Sequence, residues 1–202
     1  FSGYTNIARG TAKILGINIM ENFEQPYFSQ SMTEFWRRWH ISLSTYIRDY
    51  VYTPLAISTR SWGQFSVAFS LFITFVLVGL WHGAGWTFVI FGVLNGAALV
   101  YEALSRKFRK VLGRKLPASV YNKFCMMLVL VYFTIALIFF KSESVNDAFF
   151  IMRRIYNWQE GDFLIRVLSI MAAYVVISFS FDLLEIKYKT HAFLLKFDNA
   201  YM

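Results

Sequence analysis

From residue 61 to residue 101 the chain carries no Asp, Glu, Lys or Arg, a run of 41 residues without formal charge. As one helix at about 1.5 Å per residue it would be roughly 60 Å long, twice the ~30 Å hydrocarbon thickness of a bilayer. The run therefore predicts two crossings, and Gly79, Gly83 and Gly85 near its middle mark the join. His82 lies beside that break, in the stretch LVGLWHGAGWTFVIFG at residues 77–92.

Two more apolar runs follow. Residues 124–140 are bracketed by Lys123 and Lys141, and residues 167–181 are apolar except for serines, with 163–165 extending them across Arg166. With 57% hydrophobic and only 16% charged residues, the chain falls outside the range of soluble domains. The fold class read from this is all-α, a polytopic transmembrane helical bundle with a broken helix pair around the WHG tripeptide. No internal repeat, low-complexity tract or Gly/Ser linker interrupts it, so residues 1–202 read as a single membrane-embedded domain. The chain begins at Phe1 with nothing resembling a cleavable signal, and the expectation is the carboxyl-terminal part of a longer protein.

The net charge of +8 is distributed as a topology signal. Arg106, Lys107, Arg109, Lys110, Arg114, Lys115 and Lys123 sit in one loop with no acid among residues 106–123, which predicts a cytoplasmic loop. Arg37, Arg38, Arg48 and Arg60 outnumber Glu34 and Asp49 before the first crossing, which gives a second cytoplasmic flank and an even number of crossings between. Residues 142–162 then fall outside, and a tail with Lys187, Lys189 and Lys196 returns to the cytoplasm. The positive charge thus meets membrane lipid, and no nucleic-acid partner is expected. Cys125 is the single cysteine, which excludes an internal disulfide and a thiolate metal cluster, and no metal site is expected.

Residues 21–55, ENFEQPYFSQSMTEFWRRWHISLSTYIRDYVYTPL, hold the other informative pattern. Ser31 followed by Glu34 is a capping-box signal, and it opens a helix expected to run to about Tyr52, before Pro54. On a 3.6-residue period Phe35, Trp39, Leu43, Tyr46 and Tyr50 share one side, beside a stripe of Trp36, His40, Ser44 and Ile47. Dense aromatics with Arg37, Arg38 and Arg48 left over predict an interfacial amphipathic helix lying at the membrane boundary.

FWRRWHISLSTYIRDYVYTPL followed by VGLWHGAGWTFVIFGVLNG resembles the membrane-bound O-acyltransferase family, most closely its bacterial polysaccharide branch, over residues 1 to about 101. The resemblance implies transfer of an acyl group, usually acetyl, from a cytoplasmic activated donor across the membrane toward hydroxyls of an extracytoplasmic polysaccharide. It implies a cell inner-membrane, multi-pass protein and a donor such as acetyl-CoA as co-substrate, with no tightly bound cofactor. The acceptor is reached directly or through a separate esterase-like acyl-accepting protein. D-alanyl transfer to teichoic acid belongs to a sister branch and stands as the alternative.

By the same resemblance the catalytic histidine corresponds to His82, and the second polar position of the first motif to His40. The chemistry agrees, since a neutral imidazole can take the proton of an attacking hydroxyl. Trp81, Gly83, Trp36, Arg37 and Asn95 are the candidate substrate-binding residues. Each has a plainer reading: the histidines as hydrogen-bonded packing or interfacial groups, Arg37 as a headgroup contact, Asn95 as a support or helix contact. A transporter would need more polar groups at the midplane than His82, Asn95 and a few hydroxyls. A haem held by His40 and His82 would need a second histidine within a span.

Overall fold

The computed structural model describes residues 1–157 together with Ser180 and Leu183. The chain falls into two compact units, Phe1–Arg153 and Arg154–Met202. The span expected at residues 167–181, its extension, His191 and the tail lysines lie outside the described residues.

Helices make up the first unit: α1 (Ser2–Ile14), α2 (Met32–Arg38), α3 (Ile41–Ile47), α4 (Thr53–Ser58), α5 (Gln64–His82), α6 (Trp86–Leu104), α7 (Arg106–Lys115) and α8 (Ala118–Lys141). Another, α9, spans Val145–Tyr156. Among the described residues the single β feature is an isolated antiparallel bridge between Phe23 and Trp39.

The uncharged run divides as its length requires. α5 and α6 have 19 residues each, about 28 Å of helix, and are joined through Gly83, Ala84 and Gly85. With α8, at 24 residues, they are long and apolar enough to cross a membrane. Less than half of each of these helices is buried within the protein, so most of their apolar surface needs lipid or further protein to cover it. α8 starts at Ala118, before the expected Phe124, and carries Lys123 inside its first turns. Charge ends the apolar run there without ending the helix, because Lys is a good helix former.

Gly79 is not part of the turn. It lies inside α5, where an added Cβ would strike the Phe88 carbonyl oxygen; across the pair, a Cβ on Gly92 would strike that of Phe75. The two backbones approach at these glycines as in other small-residue membrane contacts.

The helix expected over residues 31–52 is broken. α2 ends at Arg38, His40 takes a left-handed conformation at φ 47°, and α3 starts at Ile41. A π-helical turn, Arg48–Tyr52, then leads into α4. Pro54 sits in the first turn of α4 instead of ending the helix, because a first-turn proline has no intrahelical hydrogen bond to lose.

The two expected stripes are therefore not continuous. Met32, Phe35 and Trp36 are buried in one cluster with Phe91 and Leu99 of α6 and Val129, Phe133 and Ala136 of α8. Each large side chain so buried contributes roughly 1.5–3 kcal/mol. α2 is core, and the amphipathic reading survives only in the exposed Tyr46 and Tyr50, whose tilted rings lie 4.7 Å apart.

Candidate functional site

His82 is the last residue of α5, and Gly83 closes that helix by donating from its N–H to the Leu80 carbonyl. The sequence folds this way because the extended Gly83 and Gly85 backbones carry the chain away from one helix axis and onto the next. The imidazole is half-buried in an aromatic cage drawn from three helices. Phe140 of α8 and Trp81 each stand 4.8 Å from it, with Phe91 at 6.2 Å and Phe88 at 6.4 Å. Gly83 makes room for that cage, since a Cβ there would lie 2.6 Å from the Phe88 ring. Trp81 is 65% exposed and His82 itself only half-buried, so the cage does not fully enclose the ring.

His40 stands at the break between α2 and α3, its ring 4.8 Å from that of Phe1. Its backbone and ring are both committed. The ring Nδ1 accepts the Leu43 N–H at 3.3 Å, which makes His40 the N-cap of α3. In the neutral ring this bond places the proton on Nε2. Burial pushes the His40 pKa below the ordinary value of 6.5, opposed in part by its backbone hydrogen bond. The other two free N–H groups of α3 are also used: Ile41 donates to the Asn22 carbonyl at 3.0 Å and Ser42 to Asn22 Oδ1 at 2.9 Å.

Trp36 and Asn95 meet directly. The indole Nε1–H donates to Asn95 Oδ1 at 3.2 Å, while Asn95 Nδ2 donates to the Phe91 carbonyl at 2.8 Å. Asn95 is fully buried, so its amide serves the helices around the site and supports the plainer of its two readings. Trp36 in turn stands 6.5 Å from Phe91, the ring that also faces His82. Arg37 is exposed and stands apart from this group, whereas Arg38 is held 2.7 Å from Glu34. Trp36 and Asn95 thus meet at the middle of α6, and Phe91, one turn from Asn95, links them to His82 at the tip of the α5–α6 hairpin. Among the described residues no cluster of His, Cys, Asp or Glu could hold a metal ion.

Sequence reasoning missed Glu102. It is 9% exposed, near the end of α6, and its carboxylate takes the Met32 N–H at 2.6 Å, the Thr33 N–H at 3.0 Å and the Thr33 hydroxyl at 2.8 Å. Arg109 Nη1 stands 3.2 Å away. The signal was present: Glu102 is the single acid between Asp49 and Glu143.

The model of the membrane-bound O-acyltransferase family (MBOAT) matches residues 1–142, which hold all of these residues. The chain belongs to this family. It is 38% identical over 187 residues to the probable alginate O-acetylase AlgI of Azotobacter vinelandii, an alignment covering 88% of this chain and 36% of that protein. The peptidoglycan O-acetyltransferase of Helicobacter pylori is 32% identical over 76% of the chain and 28% of its own length. The teichoic acid D-alanyltransferase of Bacillus subtilis is 35% identical over 54% of the chain and 29% of its own. This MBOAT chain spans about a third of the length of the curated relatives it matches. Its membrane character follows from the family and from three helices able to span.

Proposed function

We propose that this MBOAT chain is the histidine-bearing part of a multi-pass inner-membrane O-acyltransferase that moves an acetyl group from a cytoplasmic thioester toward hydroxyls of an extracytoplasmic polysaccharide. The observation that carries the reading is the aromatic cage around His82, linked through Phe91 and Trp36 to the short helix whose end presents His40, from a motif 42 positions away. In the reaction the acceptor hydroxyl attacks the thioester carbonyl while His82 takes its proton. The new C–O bond forms, the C–S bond breaks, and the proton leaves with the thiol. The cage limits water around the ring. His40, with its Nε2–H unclaimed by the α3 cap, can donate a hydrogen bond to a bound acyl or sugar oxygen. Arg37, exposed on α2, suits a phosphorylated donor such as acetyl-CoA.

In this orientation the loop carrying Arg109 is cytoplasmic and the segment around Asn146 external. Labelling of a cysteine placed at Lys110 by an impermeant reagent in intact cells would reverse it. The acceptor receives the acyl group directly or through an esterase-like partner. The deciding experiment is O-acetyl content of the exported polymer, at matched membrane abundance, in His82→Ala, His82→Gln and His40→Ala. Loss in both His82 variants with a milder His40 effect supports the assignment, and near-normal acetylation in His82→Gln with loss in His40→Ala moves it to residue 40. The likeness to the Bacillus subtilis protein favours one second reading, D-alanyl transfer to teichoic acid, which polymer-bound D-alanine would reveal.

A further inference from the structure

The shared face of α6 runs Phe91, Asn95, Leu99, Glu102, all buried and spaced four, four and three residues apart. Its first member faces His82. Its two polar members both grip α2, at different points. Asn95 holds the Trp36 indole in the middle of α2, and Glu102 holds the backbone of its first turn.

A helix begins with N–H groups that have no partner inside it. In α2 the first three are Met32, Thr33 and Glu34. Ser31 Oγ accepts from Glu34 at 3.0 Å, the half of the capping box that forms; the Glu34 carboxylate turns instead to the Gln30 N–H at 2.8 Å. The other two N–H groups are taken by Glu102, 70 and 69 positions away. A carboxylate there also lies at the positive end of the helix dipole, with Arg109 as counterion. Seven residues of rigid helix then lead from this anchor to the break that presents His40.

We propose that Glu102 is a positioning residue for acyl transfer: by capping α2 from the end of α6 it fixes, together with Asn95, where His40 stands relative to His82. The inference rests on the proposed function for its catalytic half. Its structural half, the cap itself, stands on the distances alone.

Both halves are testable in the intact protein. Hydrogen exchange read on peptides covering residues 30–38 reports the cap without reference to activity. Glu102→Ala should speed exchange of the Met32 and Thr33 amides, with α5 unchanged, and Glu102→Gln should do so less because it keeps one carbonyl acceptor. Unchanged protection in Glu102→Ala overturns the cap.

For catalysis, Glu102→Ala should lower acyl transfer by roughly 10²-fold, the scale of an ångström-sized misplacement, and Glu102→Gln by roughly tenfold or less. The separating test is a double-mutant cycle. If Glu102 acts through His40, Glu102→Ala should cost less than about threefold when added to His40→Ala. An undiminished cost in that background makes Glu102 a residue of general stability and overturns the positioning role. Should the wild-type protein transfer no acyl group, the proposed function falls and the positioning role with it, while the exchange result still decides the cap.

Discussion

The two histidine-bearing regions are built by opposite means. The α5–α6 hairpin is held by what it lacks: no charge from residue 61 to residue 101, and no side chains at Gly79 and Gly92, where the two backbones meet. The α2–α3 segment is held by what it borrows. Each of its two short helices has its first three N–H groups capped, by Glu102 and Ser31 for one and by Asn22 and His40 for the other. Seven residues are too few for α2 to stand on propensity. An apolar hairpin can thus be specified locally, whereas a broken helix in a protein core needs polar partners from distant chain.

The largest expected effect concerns the hairpin tip. His82→Gln keeps the size and polarity of the ring but cannot accept a proton, so acyl transfer should fall by about 10²- to 10⁴-fold at normal membrane abundance. Next comes the glycine contact. Gly92→Val must push α5 from α6 at the Phe75 carbonyl, at a cost of about 1–3 kcal/mol or more, and should be seen as lost folded protein in a detergent thermal-stability assay. Gly3→Val, with open space around it, should be silent and serves as the control. A result equal at both positions would remove the distinction between a zipped hairpin and an ordinary apolar helix pair.

Smaller effects sharpen the other side. Trp36→Phe keeps an aromatic ring in the core but leaves the buried Asn95 Oδ1 without its indole donor, at about 1–3 kcal/mol by the same assay. The smallest effect should come from acidification. His40 is held neutral by burial, with its pKa in the folded state below the ordinary 6.5. The folded state therefore binds fewer protons there than the unfolded state, and stability should fall as pH drops through 6.5 toward the folded pKa. Protonation of Nδ1 also removes the cap on Leu43. His40→Asn tolerates the left-handed backbone and can cap, but does not titrate. It should flatten this slope, and an unchanged slope would assign the pH dependence to another group.

This contrast explains what was legible in the sequence. Charge-free length gave the α5–α6 pair, and the glycines gave its turn, because a bilayer translates composition directly into helix number. The family was legible in the two motifs that carry His40 and His82. The break at His40 was not, because residues 31–52 keep a helical period straight through it and a non-glycine left-handed residue has no marker in its own sequence. Burial of α2 was also hidden: Phe35 and Trp36 suit an interface as well as a core, and the choice depends on Phe133 about a hundred positions on. The Ser31 cap was legible as a capping box, but the caps from Asn22 and Glu102 were not, since a lone acid after an apolar run reads first as the charge that ends a span.

The separation between Glu102 and Met32 also sets a clock. A ribosome adds about 5–20 residues per second, so the 70 positions between them take several seconds to make. Through that interval two N–H groups of α2 have no carboxylate to meet, and its aromatic face has neither α6 nor α8 to cover it. The first motif is therefore synthesised early and finished late, after the hairpin that follows it has been made.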